Sequence, residues 1–320
     1  MYARALVVTA AVLPLTILAA TQCLSDDFQL ECPAVPFSAP SERHPAIDDA
    51  CGMTGDQTDG PKAVQNSLKN NLCSERSATT LQPGDFVTLQ RTAEQRGVPF
   101  GFAGFAEHRV EHIPDDRTPL ANLFTTADGW QIGEGARVQI VALIDFPHYA
   151  DTSSGESVNC KLTRNLRNDI HINLVQTPAP ERPKSDDPNH DAKLAERNAA
   201  LCDSITAEII PHFRPAAWEV KHLQQVEKMH LPVRIAGQLF FDASHFPCTG
   251  TTSVDSLKRA TLWEIHPVYA IDVCQNGSID ACASDDESVW TPLHQWIESP
   301  PSNATSVSET EDDGEVPDVE

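Results

Sequence analysis

The order of extended and helical segments between residues 138 and 274 constrains this chain more than any other feature. Five stretches there have strand character. Residues 138–144 (VQIVALI) follow the turn residues Gly133 and Gly135. Residues 169–174 (DIHINL) alternate polar and apolar side chains throughout, the period of two that a strand with two unlike faces requires. Residues 207–212 (AEIIPH) are shorter, with Pro211 near the end, and residues 232–242 (PVRIAGQLFFD) are long and apolar. Residues 262–274 (LWEIHPVYAIDVC) contain Pro267, which cannot donate to a ladder and so marks a bulge. A helical pattern over 217–229 separates the third stretch from the fourth, and another over 191–204 is inserted between the second and third. Strand, strand, strand, helix, strand, strand predicts a mainly β (α+β) fold. It is the layout of an OB-fold-like five-stranded barrel with a helix between strands three and four. Some other small barrels and sandwiches share this order.

The flanks differ from this body. Residues 1–20 have the form of a signal peptide: Arg4, an apolar run broken by Pro14, and the small residues Ala19 and Ala20 at its end. The run is shorter than the roughly 20 apolar residues of a bilayer span, so no membrane span is expected once it is removed. Cys23 invites lipid attachment, but Gln22 stands where that processing wants a small residue, and a lipid anchor is not favoured. The chain has nine cysteines, at 23, 32, 51, 73, 160, 202, 248, 274 and 282, with no CxxC pair. Such dispersal fits disulfides formed in a periplasmic or extracellular compartment better than a zinc site. The odd count leaves one cysteine over, and Cys51 is expected to pair with Cys73 across one short helical segment.

Residues 21–80 read as an irregular, disulfide-bearing region with that single helix, Pro61 in its first turn and Val64, Leu68 and Leu72 on its apolar face. Residues 81–275 form the OB-like domain, with an extra strand expected at 86–89 and a Phe/Gly-rich cover around Phe100, Phe102 and Phe105. Residues 276–320 carry no Lys or Arg and read as an acidic tail too polar to order itself.

The net charge of −23 repels nucleic-acid phosphate and anionic lipid, so nucleic acid is not an expected partner. The short basic clusters Lys161, Arg164, Arg167 and Lys258, Arg259 read as strand-flanking charge. The chain has no GxSxG, no GxGxxG after a strand, no GxxxxGK[ST] and no HExxH.

What chemistry there is comes from strand faces. With Ile170, Ile172 and Leu174 inward, Asp169, His171 and Asn173 point the other way. Glu264 and His266 lie opposite Trp263 and Ile265, and Glu208 and His212 share a face if Pro211 keeps the alternation. Strand three of an OB barrel runs between strands two and five. Asp169, His171, Glu208, His212, Glu264 and His266 then form one polar patch, with Asp242 and His245 at its rim. Such a patch can bind a small polar ligand, a glycan or a protein. Alternatively His171, Glu208 and His266 hold a divalent metal with a position left for water, as in a metal-dependent hydrolase. A merely solvated outer face accounts for the same residues.

Several stretches also carry a resemblance: KNNLC (69–73), GESVNC (155–160), NDIHI (168–172), ITAEIIPHFRPAAW (205–218), VRIAGQLFFDASHFPC (233–248) and LWEIHPVYAIDVC (262–274). Together, and in this order, they resemble a family of uncharacterised bacterial secreted proteins over roughly residues 45–275. The resemblance implies a bacterial, exported, OB-like protein and transfers no catalytic roles.

Overall fold

Inward-facing aliphatic residues at alternate positions build the strands. In the computed structural model, which describes residues 42–74, 77–104, 109–250, 258–282 and 286–299, these are β1 (Arg137–Tyr149), β2 (Ile170–Val175), β3 (Ile205–Ile209), β4 (Pro232–Phe241) and β5 (Trp263–Cys274). The expected signal peptide, Cys23 and Cys32 lie outside the described residues. β1 pairs antiparallel with β2, and β2 with β3. β3 runs parallel to β5, β5 antiparallel to β4, and β4 returns antiparallel to β1. The sheet therefore closes into a five-stranded mixed barrel with strand three between two and five, as the element order predicts.

Val138, Ile140, Ile170, Ile172, Ala207, Ile235, Leu239 and Ile265 belong to one buried core. Closure leaves these strands without free edges, and burial of that apolar set is the main stabilising term. Pro267 sits at an irregularity, since the β4–β5 register shifts between Ile265 and Val268. Opposite it, a Cβ on Gly237 would stand 2.3 Å from the Pro267 carbonyl oxygen and 2.5 Å from Ile265 Cγ2. The close approach of the two backbones requires glycine there.

Among the described residues, a one-turn helix (Pro45–Asp48) and five longer ones surround the barrel: α1 (Gly60–Lys69), α2 (Pro83–Gln95), α3 (His190–Leu201), α4 (Val220–Lys228) and α5 (Leu293–Glu298). Both helices expected at 191–204 and 217–229 are present, and α4 adds Leu223 and Val226 to the core. The strand expected at 86–89 is instead part of α2. Pro83 in the first turn and a capping box between Gln82 and Asp85 start that helix, and Phe86, Leu89 and Ala93 recur at helical spacing on its buried face. Phe100 packs edge-on against Phe241 and Phe246, and Phe102 against Phe246; Phe105 lies outside the described residues.

The boundary of the tail also moves. Residues 290–292 form β6 (Trp290–Pro292), antiparallel to β5, and α5 follows directly. Trp290, Leu293 and Trp296 are buried, so three large apolar side chains anchor a segment whose overall composition reads as acidic. The chain from 300 onward lies outside the described residues.

Disulfides join Cys51 to Cys160, Cys202 to Cys248 and Cys274 to Cys282, and Cys73 is disulfide-bonded as well. The expected Cys51–Cys73 pair is therefore replaced by a bridge from the N-terminal region to the β1–β2 connection. Spacing along the chain does not report the fold that brings Cys160 near. These bonds fit an oxidising environment. Among the described residues, no helix is long and apolar enough to cross a membrane.

Candidate metal centre

Register brings the predicted side chains together. His171 stands directly opposite Glu208 in the β2–β3 ladder, and the Ile265–Ala207 pairing sets His266 beside Glu208. Asp169, just before β2, and Glu264 complete the group. The sequence reading of a solvated face fails here: Asp169, Glu264 and His266 are 0% exposed and Glu208 1%. Alternation tells which face a side chain takes but not what covers that face.

The cover is the N-terminal region. α1 buries Ala63, Gln65, Asn66 and Lys69 and leaves Val64 exposed, so its polar side lies on the barrel rather than the apolar side expected from Val64, Leu68 and Leu72. Leu72, past the helix end, packs with Ile210 and Tyr269. Lys69 Nζ donates to Asp242 Oδ2 at 2.9 Å and Gln65 Nε2 to Ser244 Oγ at 2.7 Å. The β1–β2 connection closes the other side, where Asn159 Nδ2 donates to Asp169 Oδ1 at 3.0 Å. Asn66 Nδ2 donates to Ser157 Oγ at 3.1 Å, tying the two covering pieces together alongside the Cys51–Cys160 bridge.

Two predicted positions are corrected. β3 ends at Ile209, so Pro211 does break the alternation. His212 then pairs with Asp48 in the turn Pro45–Asp48, Nδ1 to Oδ1 at 2.9 Å. Asp242 is not at a rim but sealed at 0% exposure, and His245 Nε2 stands 3.5 Å from it. Lys69, Glu156, Asn159 and Arg259 are the members that strand-face reasoning misses, because they come from outside the alternating strands. Their signal is that the first three fall within the KNNLC and GESVNC stretches.

At the centre, His266 Nδ1 bonds Glu264 Oε1 at 3.1 Å and lies 2.9 Å from Glu208 Oε2. Arg259 Nη1 donates to the other oxygen of Glu264 at 3.0 Å. His171 Nε2 is 3.3 Å from Glu208 Oε1 and 3.8 Å from Glu156 Oε1, and its side chain is 15% exposed at the edge of the cluster. Phe240 stacks edge-on to His266 at 5.6 Å.

Burial opposes charge on every one of these groups, and their neighbours decide the outcome. Burial pushes Glu208 up, but His171, His266 and Lys69 hold it well below the usual carboxylate range. Burial likewise opposes the imidazolium forms, yet Glu208 raises His171 to about 9, with help from Glu156, and His266 to about 10, with help from Glu264. Glu156, desolvated and facing Asp169, is pushed up to about 8. The stability contribution of the two histidines is full below their unfolded value near 6.5 and is lost as pH rises toward 9 and 10. Glu156 acts in the same direction, because its folded state holds a proton that the unfolded chain releases above about pH 4.5. With chelator present, the urea midpoint is therefore expected to fall steadily between about pH 6.5 and pH 10. A midpoint that stays level over that range contradicts these protonation states.

The cluster also offers ligand atoms. Among the described residues, Asp169, Glu208 and His266 each contribute one metal-ligating atom within 4.8 Å of the others, and so do Glu208, Asp242 and Glu264. His171, expected as a ligand, sits at the edge, and Asp169 takes its place in the first set. Asp169 Oδ2 and His266 Nε2 are buried and make no hydrogen bond, where nearly all buried polar atoms have a partner. His266 Nε2 and Asp169 Oδ2 are 3.6 Å apart, too far for a hydrogen bond. That spacing suits two ligands each about 2.1 Å from one ion. Glu264, itself held by Arg259, bonds Nδ1 and leaves Nε2 to ligate, the carboxylate–histidine arrangement that orients metal-binding imidazoles. The donor set fits a divalent ion. No protein-family model, curated protein or solved structure matches this chain.

Proposed function

We propose that this chain is an exported bacterial protein that binds one divalent metal ion through Asp169, Glu208 and His266. The observation that carries this reading is the convergence of three buried ligand residues, with Asp169 Oδ2 and His266 Nε2 making no hydrogen bond. Burial favours an ion over a glycan, a peptide or another polar ligand at this face, since α1 and the β1–β2 connection lie across it. Two carboxylates and an imidazole favour first-row transition ions such as manganese, iron or zinc over calcium, which takes six to eight oxygens. The ion would supply positive charge to a carboxylate-rich interior. The disulfides and the sequence resemblance support export to the periplasm or beyond.

A metal-dependent hydrolase is the second reading, and one observation favours it. His171 Nε2 lies 3.3 Å from Glu208 Oε1, and its side chain reaches partial exposure there, which places an imidazolium to give up a proton at the edge of the cluster.

Elemental analysis of protein folded in an oxidising compartment and purified without chelator tests the metal reading. About one transition-metal ion per chain is expected, with Asp169→Asn and His266→Ala each weakening binding at least about 100-fold, as loss of a ligand should exceed the 10–100-fold loss of a supporting group. Well-folded wild-type protein carrying no metal, and taking none up on dialysis, would overturn it.

A further inference from the structure

Glu208 belongs to both ligand sets, and the second set already holds a cation of a different kind. Glu208, Asp242 and Glu264 are all buried to within 1% and within ligand distance of one another. Three carboxylates so placed repel one another strongly unless positive charge lies among them. Arg259 serves Glu264 from one side. Lys69 serves Asp242, and its stem runs past the Phe240 ring with Nζ 5.7 Å from the centroid. Glu208 Oε2 lies 2.9 Å from His266 Nδ1, so its counter-charge comes from β5 of the barrel.

Lys69 does not come from the barrel. It is the last residue of α1, on the covering segment, and its side chain is 11% exposed. The carboxylates come from β3, β5 and the residue that follows β4. The barrel thus presents an all-oxygen, three-carboxylate site, and the cover inserts an ammonium into it.

We infer that Lys69 is a tethered cation occupying a second divalent-metal position formed by Glu208, Asp242 and Glu264. With Lys69 in place this set takes no ion. Without it, the set binds a hard divalent ion such as manganese, for which oxygen ligands are suited. Glu208 would then bridge two ions, the arrangement in which paired metals sit about 3.5–4 Å apart. That bridge rests on the metal reading above; the ion gained at the second set does not.

The test compares the number of Mn²⁺ ions bound by wild type, Lys69→Met and Lys69→Arg, by equilibrium dialysis of metal-stripped protein. Methionine keeps most of the stem and removes the charge. Lys69→Met is expected to bind one ion more than wild type and to gain more in melting temperature from Mn²⁺ than wild type does. Lys69→Arg is expected to match wild type. Equal counts in wild type and Lys69→Met overturn the inference whatever that count is. No ion on wild type with one on Lys69→Met would remove the Asp169 centre and uphold the second set. A Lys69→Met chain that folds only with Mn²⁺ supports the inference. One that stays unfolded in millimolar Mn²⁺, while Lys69→Arg folds, refutes it.

Discussion

Replacing Glu208 with Gln is expected to destabilise the metal-free protein by about 3–5 kcal/mol, the cost of removing one partner from a buried ion pair. The side chain keeps its size, so packing changes little. What changes is the charge that His171 and His266 both face, at 3.3 and 2.9 Å, and that adds to the field on Lys69. The imidazolium forms would lose their principal counter-charge in a site that water barely enters. Urea denaturation in the presence of chelator measures the loss. Lys193→Ala is the contrast, since Lys193 pairs with Asp187 while its side chain is 52% exposed, and surface pairs contribute about 0–1 kcal/mol. A Glu208→Gln loss no larger than that of Lys193→Ala would mean that the cluster is not held by charge.

The second large effect is expected from removing the Cys51–Cys160 bridge. Its partners are 109 residues apart, and chain entropy assigns a loop of that length about 5 kcal/mol. The Cys274–Cys282 bridge spans 8 residues and on the same basis contributes roughly half as much. The Cys51→Ala/Cys160→Ala pair also has a local consequence. The segment 45–74 is held by polar contacts, Lys69 to Asp242, Gln65 to Ser244 and Asn66 to Ser157, and by the small apolar cluster of Leu72, Ile210 and Tyr269. With the bridge gone, amide protons of α1 should exchange faster than those of β1, β4 and β5, because a small interface opens before the main apolar core. Unchanged protection of α1, together with a loss below about 1 kcal/mol, would contradict a cover held by the bridge, for which removal of a native disulfide typically costs 2–5 kcal/mol.

The barrel was legible because its evidence is periodic. DIHINL alternates without interruption, and that pattern alone set Asp169 and His171 against Ile170 and Ile172. Once the element order implied strand three between two and five, Glu208 had to meet both His171 and His266, and the observed registers agree. The parts that were not legible share a cause. Whether a polar face is wet or sealed depends on a segment distant in sequence, and α1 seals this one with Gln65, Asn66 and Lys69, residue types that read as surface. The apolar spacing of Val64, Leu68 and Leu72 pointed to the wrong side of that helix. His212 was placed by an alternation that ends at Ile209. Residues 86–89, four apolar or β-branched positions among FVTL, satisfy a strand pattern as well as a helical one. Only the wider frame of Pro83, the capping box and Ala93 decides for the helix. The acidity of the tail masks the anchoring side chains Trp290, Leu293 and Trp296.

Anomalous diffraction from crystals of the unmodified protein, recorded above and below the absorption edge of the metal found by elemental analysis, tests the metal centre most directly. A single strong peak about 2.1 Å from Asp169, Glu208 and His266, with Lys69 still on Asp242, is the predicted result. The contradicting result is well-ordered density for Asp169, Glu208 and His266 with no anomalous peak between them, in crystals soaked with that metal.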